Sequence, residues 1–423
     1  MVGVVGVVGV KFDVVVIGAG TAGMTAAIRL AEGGKRVAVL AKGVGSTRLA
    51  PATIDVLGYA PDRVDHPGEA LTGFLASRPL HPYQRVGLDT LARAIEWLRE
   101  RVDVYAYVGS LDQNTLLPTA IGSMKPTAVL PETMAAGDVR NGGSFLLCGL
   151  SGFKDFFPAL AADNLTAGAK VEARGVELHP PTGGEADVGG LAYARRFESE
   201  DFRRQVINEV LATMEGEDAV GFPAVLGLAR PREVWSALQD AIGRPVFEMS
   251  TLPPSVPGIR LAGALEAALQ RAGGRLMMGS EVVDVRAARG RVEAVAFQTA
   301  ARKTGIEADA FVLATGGFLT GGIELRSDET VHESVFGLPV MGMPPPGQPR
   351  FSPVYFEAQP MSVAGLATDE RLRPVDADGS VVYENLHAAG AMLGGAEPWR
   401  EKSGEGISLG TGFKVAEELL ENG

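Results

Sequence analysis

The first sharp pattern along the chain is an apolar run, FDVVVIGAG (12–20), that stops at glycines. A β-branched run of this length, bounded by turn residues, predicts a strand buried on both faces, as in a parallel sheet. MTAAIRLAEGG follows with apolar residues at helical spacing, and RVAVLAK, from Arg36, predicts a second strand. The turn between first strand and helix carries Gly18, Ala19, Gly20 and Gly23 in the pattern GxGxxG. In a β-α-β unit the first such glycine permits the tight turn, the second lets a pyrophosphate approach the backbone, and the third lets helix and strand pack closely. The helix N-terminus then offers N–H groups to the phosphates. The end of the second strand, where dinucleotide folds often place a carboxylate on the ribose, reads Leu40-Ala41-Lys42 instead. Either the ribose is held another way, or the ligand lacks the adenosine part. Lys42 also leaves room for a 2′-phosphate.

The same alternation of strand and helix patterns continues. SFLLCGLSGFKDFFPALAADNL (144–165) reads as strand, turn and helix, and its turn, Gly149 to Gly152, is either a second anion cradle or an ordinary connection. DAVGFPAVLG and PVFEMS read as strands around the Pro-led helix PREVWSALQDAIG. PPTGGEADVGG (180–190) and TLPPSVPG (251–258) read as loops. From Gly258, GIRLAGALEAALQRAGG predicts an amphipathic helix closed by glycines. EVVDVRAARGRVEAVAFQT predicts a hairpin turning near Arg289-Gly290, and ADAFVLATGG a buried strand. NLHAAG (385–390) and GEGISLGTG (404–412) precede a terminal helix expected to begin near Ser408. The fold class is therefore α/β: a Rossmann-like, doubly wound parallel sheet of the FAD/NAD(P)-binding kind, with a small antiparallel meander and an α/β middle domain. The expected boundaries are 10–60 with 255–322 and 362–423 for the nucleotide domain, 61–254 for the middle domain, and 323–361 for a cap insertion.

Composition narrows the function. The chain has 423 residues, a net charge of −12 and no run of Lys or Arg, which argues against a nucleic-acid surface. Its single cysteine, Cys148, excludes an internal disulfide and an iron–sulfur cluster held by this chain's own thiolates. No segment reaches the roughly 18–20 apolar residues of a membrane span. The opening VGVVGVVGV reads as an N-terminal extension or an early start codon, since it lacks the basic front and cleavage site of a signal peptide. Neither HExxH, CxxC nor a tight carboxylate cluster points to a metal.

Residues 12–42, 310–317 and 385–412 resemble flavoproteins of the fumarate reductase and succinate dehydrogenase type, which bind FAD with GxGxxG, a mid-chain ATGG and a late NLxAAG segment. STRLAPATIDVLG (46–58), HPY (81–83), LCGLSGFKDF (147–156), TLPPSVPGIRL (251–261), FLTGG (318–322) and TDERLRP (368–374) are similar to the B-type subunits of anaerobic glycerol-3-phosphate dehydrogenases. That resemblance runs nearly end to end. It implies a flavoprotein subunit, described for that family as using FMN, whereas the GxGxxG motif favours FAD. It implies two partners: an A-type catalytic subunit oxidising sn-glycerol 3-phosphate to dihydroxyacetone phosphate, and a C-type iron–sulfur subunit that anchors the complex and passes electrons to quinone. The location implied is the cytoplasm, at the inner face of the cell membrane through those partners.

Within this frame Gly18, Ala19, Gly20 and Gly23 follow the phosphates. Ser46, Thr47 and Arg48 approach isoalloxazine and pyrophosphate, a surface ion pair being the alternative for Arg48. Thr315 and Gly316 approach the adenine side or the phosphates. Gly390, Gly406, Ser408 and Leu409 close over the ring, where a helix N-terminus favours the negative charge that reduction brings. A dehydrogenase acting on an alcohol needs a base, and the histidines are His66, His81, His179, His332 and His387. His332, after FLTGG, and His387, in NLHAAG, are the two nominated. Arg260 is read as an anion ligand or a helix-surface residue. The competing functions are a stand-alone FAD reductase or dehydrogenase of a small carboxylate or ketone, a structural or regulatory flavin-binding subunit, and a flavin-dependent RNA-modifying enzyme, against which the charge weighs.

Overall fold

The computed structural model describes residues 11–299, 302–355 and 357–422; the VGVVGVVGV segment lies outside them. The chain forms two compact units. The first comprises Met1–Ser46, Ala70–Arg101 and Leu265–Gly423. Its core is a parallel sheet ordered Arg275–Met278, Val37–Ala41, Phe12–Ile17, Lys303–Leu313 and Leu386–Ala388. The strand Lys303–Leu313 has two roles. Its second half pairs in parallel with Phe12–Ile17, while its first half pairs antiparallel with Arg291–Gln298 and so carries the expected hairpin. Arg289 and Gly290 at the hairpin turn both have positive φ, 53° and 72°, the conformation a two-residue turn needs to match strand twist.

The helix Thr21–Glu32 is covered by the C-terminal helix Gly404–Glu421. A Cβ on Gly412 would stand 2.3 Å from the carbonyl oxygen of Ala22, so only a glycine allows this approach. That contact explains why the helix begins at Gly404 rather than near Ser408. Glycines disfavour an isolated helix, but here they let two helices touch. The helix Leu88–Arg101 belongs to the same unit, not to the middle domain, because Trp97 packs on Phe413 and donates to Glu32 at 2.9 Å. The 323–361 insertion is also part of this unit, and it contributes the small pair Ile323–Leu325 and Val331–Glu333. The edge strand Arg275–Met278 was not legible in the sequence, being four residues long and half exposed.

The second unit comprises Thr47–Glu69 and Val102–Ala264. Four parallel strands run in the order Val246–Met249, Ala219–Pro223, Gly143–Leu150 and Val171–Leu178. The last of these was missed, since VEARGVEL lacks a strand-like apolar run. Its Gly175 lies flush against the helix Pro158–Gly168, where a Cβ would sit 2.3 Å from the Pro158 carbonyl carbon. The helix Val256–Arg271 starts two residues before the expected Gly258.

Candidate functional site

In the first unit three segments meet at the carboxyl ends of the parallel strands. The amide of Gly18 donates to Leu40 O, and that of Ala314 to Ile17 O, both at 2.8 Å. Gly18 has φ +114°, and a Cβ there would lie 2.1 Å from Ala314 O. A Cβ on Gly23 would lie 2.1 Å from Gly18 O. These two glycines are therefore demanded by the protein's own packing. Gly20 differs: a Cβ would meet nothing of the described residues within 4 Å, and the residue is the uncapped N-cap of Thr21–Glu32. Gly45 folds over Ala19 and Gly20, its Cβ position 2.7 Å from Gly20 Cα. The result is a tight turn with open space beside the glycine that, in a dinucleotide unit, meets a pyrophosphate.

Thr315 and Gly316 continue this rim. Gly316 has φ +81°. The Oγ1 of Thr315 is buried without a hydrogen-bond partner among the described residues. An orphaned buried hydroxyl costs about 1–3 kcal/mol, which a polar ligand lying along this rim would recover. The open cradle at Gly20 and this hydroxyl both fit a dinucleotide.

Gly390 (φ +83°) joins the same end of the sheet. Its amide donates to Thr411 Oγ1 at 2.9 Å, and a Cβ on it would press on Ala22 and lie 3.9 Å from Ser408 Oγ. Thr21 Oγ1 donates to Glu405 Oε2 at 2.9 Å. Thus Gly390, Ser408 and the first turns of both long helices are brought together. Gly406 lies in the first turn of the C-terminal helix, and Ser408 and Leu409 follow in the next turn.

Lys42 is exposed and pairs with Glu281 at 2.7 Å. Ser280 meanwhile donates to Ala41 O. A carboxylate missing from the end of the second strand in sequence is thus delivered there from position 281. Sequence reasoning passed over Glu281 because nothing local marks it.

Ser46 closes the first unit; Thr47 and Arg48 open the second. There the TLPPSVPG segment holds their backbone. Ser255 N donates to Arg48 O at 3.1 Å, and a Cβ on Gly258 would lie 2.3 Å from Thr47 O. That segment therefore fixes the backbone of Thr47 and Arg48.

The histidines part company. His332 has Nε2 3.0 Å from Arg326 Nη2 and 3.3 Å from Glu324, and its Nδ1 is buried without a partner among the described residues. His387 is buried, with Nδ1–H donating to Arg371 O at 2.8 Å. Burial, aided by nearby Arg371 and Arg373, holds it below the ordinary histidine value. It lines a cavity of about 540 Å³ with Asp13, Lys35 and Arg291. Asp13 lies at the amino end of the first strand, so this cavity opens at the end of the sheet opposite Gly18. His81 is fully buried against Glu401 at 3.2 Å. His66 bonds the Asp112 carbonyl.

Two other readings are corrected. Arg260 is neither an exposed helix residue nor a free anion ligand. It is buried, pairs with both oxygens of Glu248 at 2.8 and 3.0 Å, and donates to Gly227 O. The Gly149–Gly152 turn does not sit at a helix N-terminus, since the next helix begins at Pro158. Ser151 N is spent on Leu178 O, and Gly152 O on Val188 N. A polar cluster absent from the sequence reading lies in the second unit. Lys125 donates to Asp55 at 2.7 Å and Thr53 at 2.6 Å, and Thr127 also donates to Asp55. Among the described residues no helix is long and apolar enough to cross a membrane.

The model of the FAD binding domain family matches residues 13–407. A protein of Halobacterium salinarum, named as the probable B subunit of an anaerobic glycerol-3-phosphate dehydrogenase, is 36% identical over 429 residues, 97% of this chain and 98% of its own. The B subunit of the anaerobic glycerol-3-phosphate dehydrogenase of Pectobacterium atrosepticum is 34% identical over 434 residues, covering 98% and 99%. Among solved structures, 3-ketosteroid Δ1-dehydrogenase from Sterolibacterium denitrificans overlaps 98% of this chain and 100% of its own, at 12% identity and a TM-score of 0.48.

Proposed function

We propose, for a chain that belongs to the family of B-type subunits of anaerobic glycerol-3-phosphate dehydrogenases and to the FAD binding domain family, the role of electron-relaying flavin subunit in the oxidation of sn-glycerol 3-phosphate to dihydroxyacetone phosphate. It is a flavin-dependent oxidoreductase of a multi-subunit enzyme, and of the two flavins considered its cofactor is FAD. Bound FAD supplies two-electron acceptance; the chain supplies position and field.

The observation that carries this reading is the rim at the carboxyl ends of the parallel strands, where Gly18, Gly20, Gly23, Thr315, Gly316 and Gly390 converge and leave open space beside Gly20. Gly18, Ala19, Gly20 and Gly23 face the pyrophosphate. Thr315, through its orphaned hydroxyl, and Gly316 flank the adenosine side. Glu281 takes the ribose role that the second strand leaves open, with Lys42 as its ion-pair partner. Gly406, Ser408 and Leu409 meet the ring, and the positive end of their helix favours the charge reduction places there. Ser46, Thr47 and Arg48 complete the cofactor set. Of the nominated bases, His332 comes first, because His387 opens onto the other end of the sheet. The partners are an A-type catalytic subunit and an iron–sulfur C-type subunit, through which the protein sits at the inner face of the membrane.

Anaerobic mixing with glycerol 3-phosphate tests the division of labour. A flavin that bleaches only when the partner subunits are present supports a relay. Bleaching in the isolated chain would place the active site here and support the stand-alone dehydrogenase.

A further inference from the structure

The C-terminal helix Gly404–Glu421 begins after Ser403, a residue type that commonly caps a helix with its hydroxyl. Here it makes no such bond. Its Oγ donates instead to Glu401 Oε2 at 2.8 Å. Glu401 is held from several sides. Its Oε1 accepts from Glu397 N at 2.9 Å, and its Oε2 also takes His81 Nε2 at 3.2 Å. His81 Nδ1 accepts the amide N–H of Tyr83 at 3.2 Å, which puts the imidazole proton on Nε2. The Tyr83 hydroxyl closes the ring by donating to Ser403 O at 3.3 Å. Neither His81 nor Ser403 has exposed surface. Burial pushes the Glu401 carboxyl up, but His81, the Glu397 amide and the Ser403 hydroxyl outweigh it and hold it below the ordinary carboxylate value. A buried ionised carboxylate at a helix start is expensive to maintain, and an apolar replacement is often the more stable choice.

We infer that His81 and Glu401 are positioning residues for the flavin: the pair holds the Ser403 hydroxyl off the helix end, so that the first turn is left to the cofactor. The inference rests on the proposed placement of the flavin ring at the first turn of this helix. Removing the carboxylate frees Ser403 to cap the helix in competition with the ligand. Removing both carboxylate and hydroxyl removes the competitor.

The test is FAD binding to the full-length apoprotein, read by flavin fluorescence, in Glu401→Ala, Ser403→Ala and the double variant. Glu401→Ala is expected to weaken binding about tenfold, the scale of one capping interaction. Ser403→Ala should stay within about twofold of wild type, and the double variant should recover most of the loss. Recovery by a second deletion is not what a merely structural role gives. His81→Gln, which keeps a donor towards Glu401, should bind FAD better than His81→Leu and serves as the milder variant if Glu401→Ala folds poorly. Wild-type affinity in Glu401→Ala, or a double variant no better than the single, would overturn the inference. Gly406→Val separates the two levels. If it abolishes FAD binding while Glu401→Ala binds normally, only the positioning role fails. If Gly406→Val binds normally, the flavin's placement fails and the inference falls with it.

Discussion

Gly18 and Gly20 stand two residues apart and answer the same added methyl group differently. At Gly18 the methyl would collide with Ala314 O in a conformation that disfavours side chains. At Gly20 it would enter open space. Gly18→Ala is expected to cost on the order of 2–4 kcal/mol of stability, read by urea denaturation of the apoprotein. Gly20→Ala should stay within about 1 kcal/mol of wild type yet lose FAD affinity, read by titration; equal affinity would show that no phosphate approaches there. Glu281→Ala should likewise weaken FAD without unfolding the protein, and a Lys42→Ala variant should bind FAD more nearly as wild type does. His387 makes a pH prediction. Its folded-state value is depressed, chiefly by burial. The fold therefore prefers neutral imidazole, and this contribution is complete above the ordinary value near 6.5 and fades as pH falls below it. The melting temperature should drop between about pH 7.5 and 5.5, and His387→Gln should drop less over the same interval. At this scale the sequence was partly readable. It exposed the missing carboxylate beside Lys42, but not its replacement 239 positions later. It ranked His387 as a flavin-side residue because a strand pattern states which residues alternate, not which end of the sheet a side chain reaches.

Elements divide along the same line. Strands with long apolar runs, such as Phe12–Ile17 and Gly143–Leu150, were legible because burial on both faces demands that composition. Arg275–Met278 and Val171–Leu178 were not, since an edge strand and a strand with alternating charges carry little of that signal. The C-terminal helix was read as starting late because its glycines signal a turn locally and close helix packing only in three dimensions. Arg260 teaches the same lesson through charge. Its partner Glu248 lies at the end of the strand Val246–Met249, and the two are buried together. Arg260→Met would leave the buried Glu248 side chain with Leu226 N and Thr133 Oγ1 as its donors among the described residues. The expected loss is about 3–5 kcal/mol, seen as a lowered urea midpoint with little change in FAD affinity.

At the scale of the whole molecule, the fold class and the cofactor were legible because the nucleotide unit is built from short motifs whose physics is local. The division into units was less so. Residues 70–101 join the nucleotide unit through Trp97 and Phe413, a contact between segments more than three hundred positions apart. The sequence nominated His332 and His387 as bases with no constellation to support either, and Lys125 with Asp55 came together only in the folded second unit. That this chain is a flavoprotein built to hold FAD is tested most directly by gentle purification, a visible spectrum and mass identification of the released cofactor. A flavin spectrum, with FAD in amounts matching the protein, is the expected result. A protein that emerges without flavin and fails to take up FAD on reconstitution would contradict it.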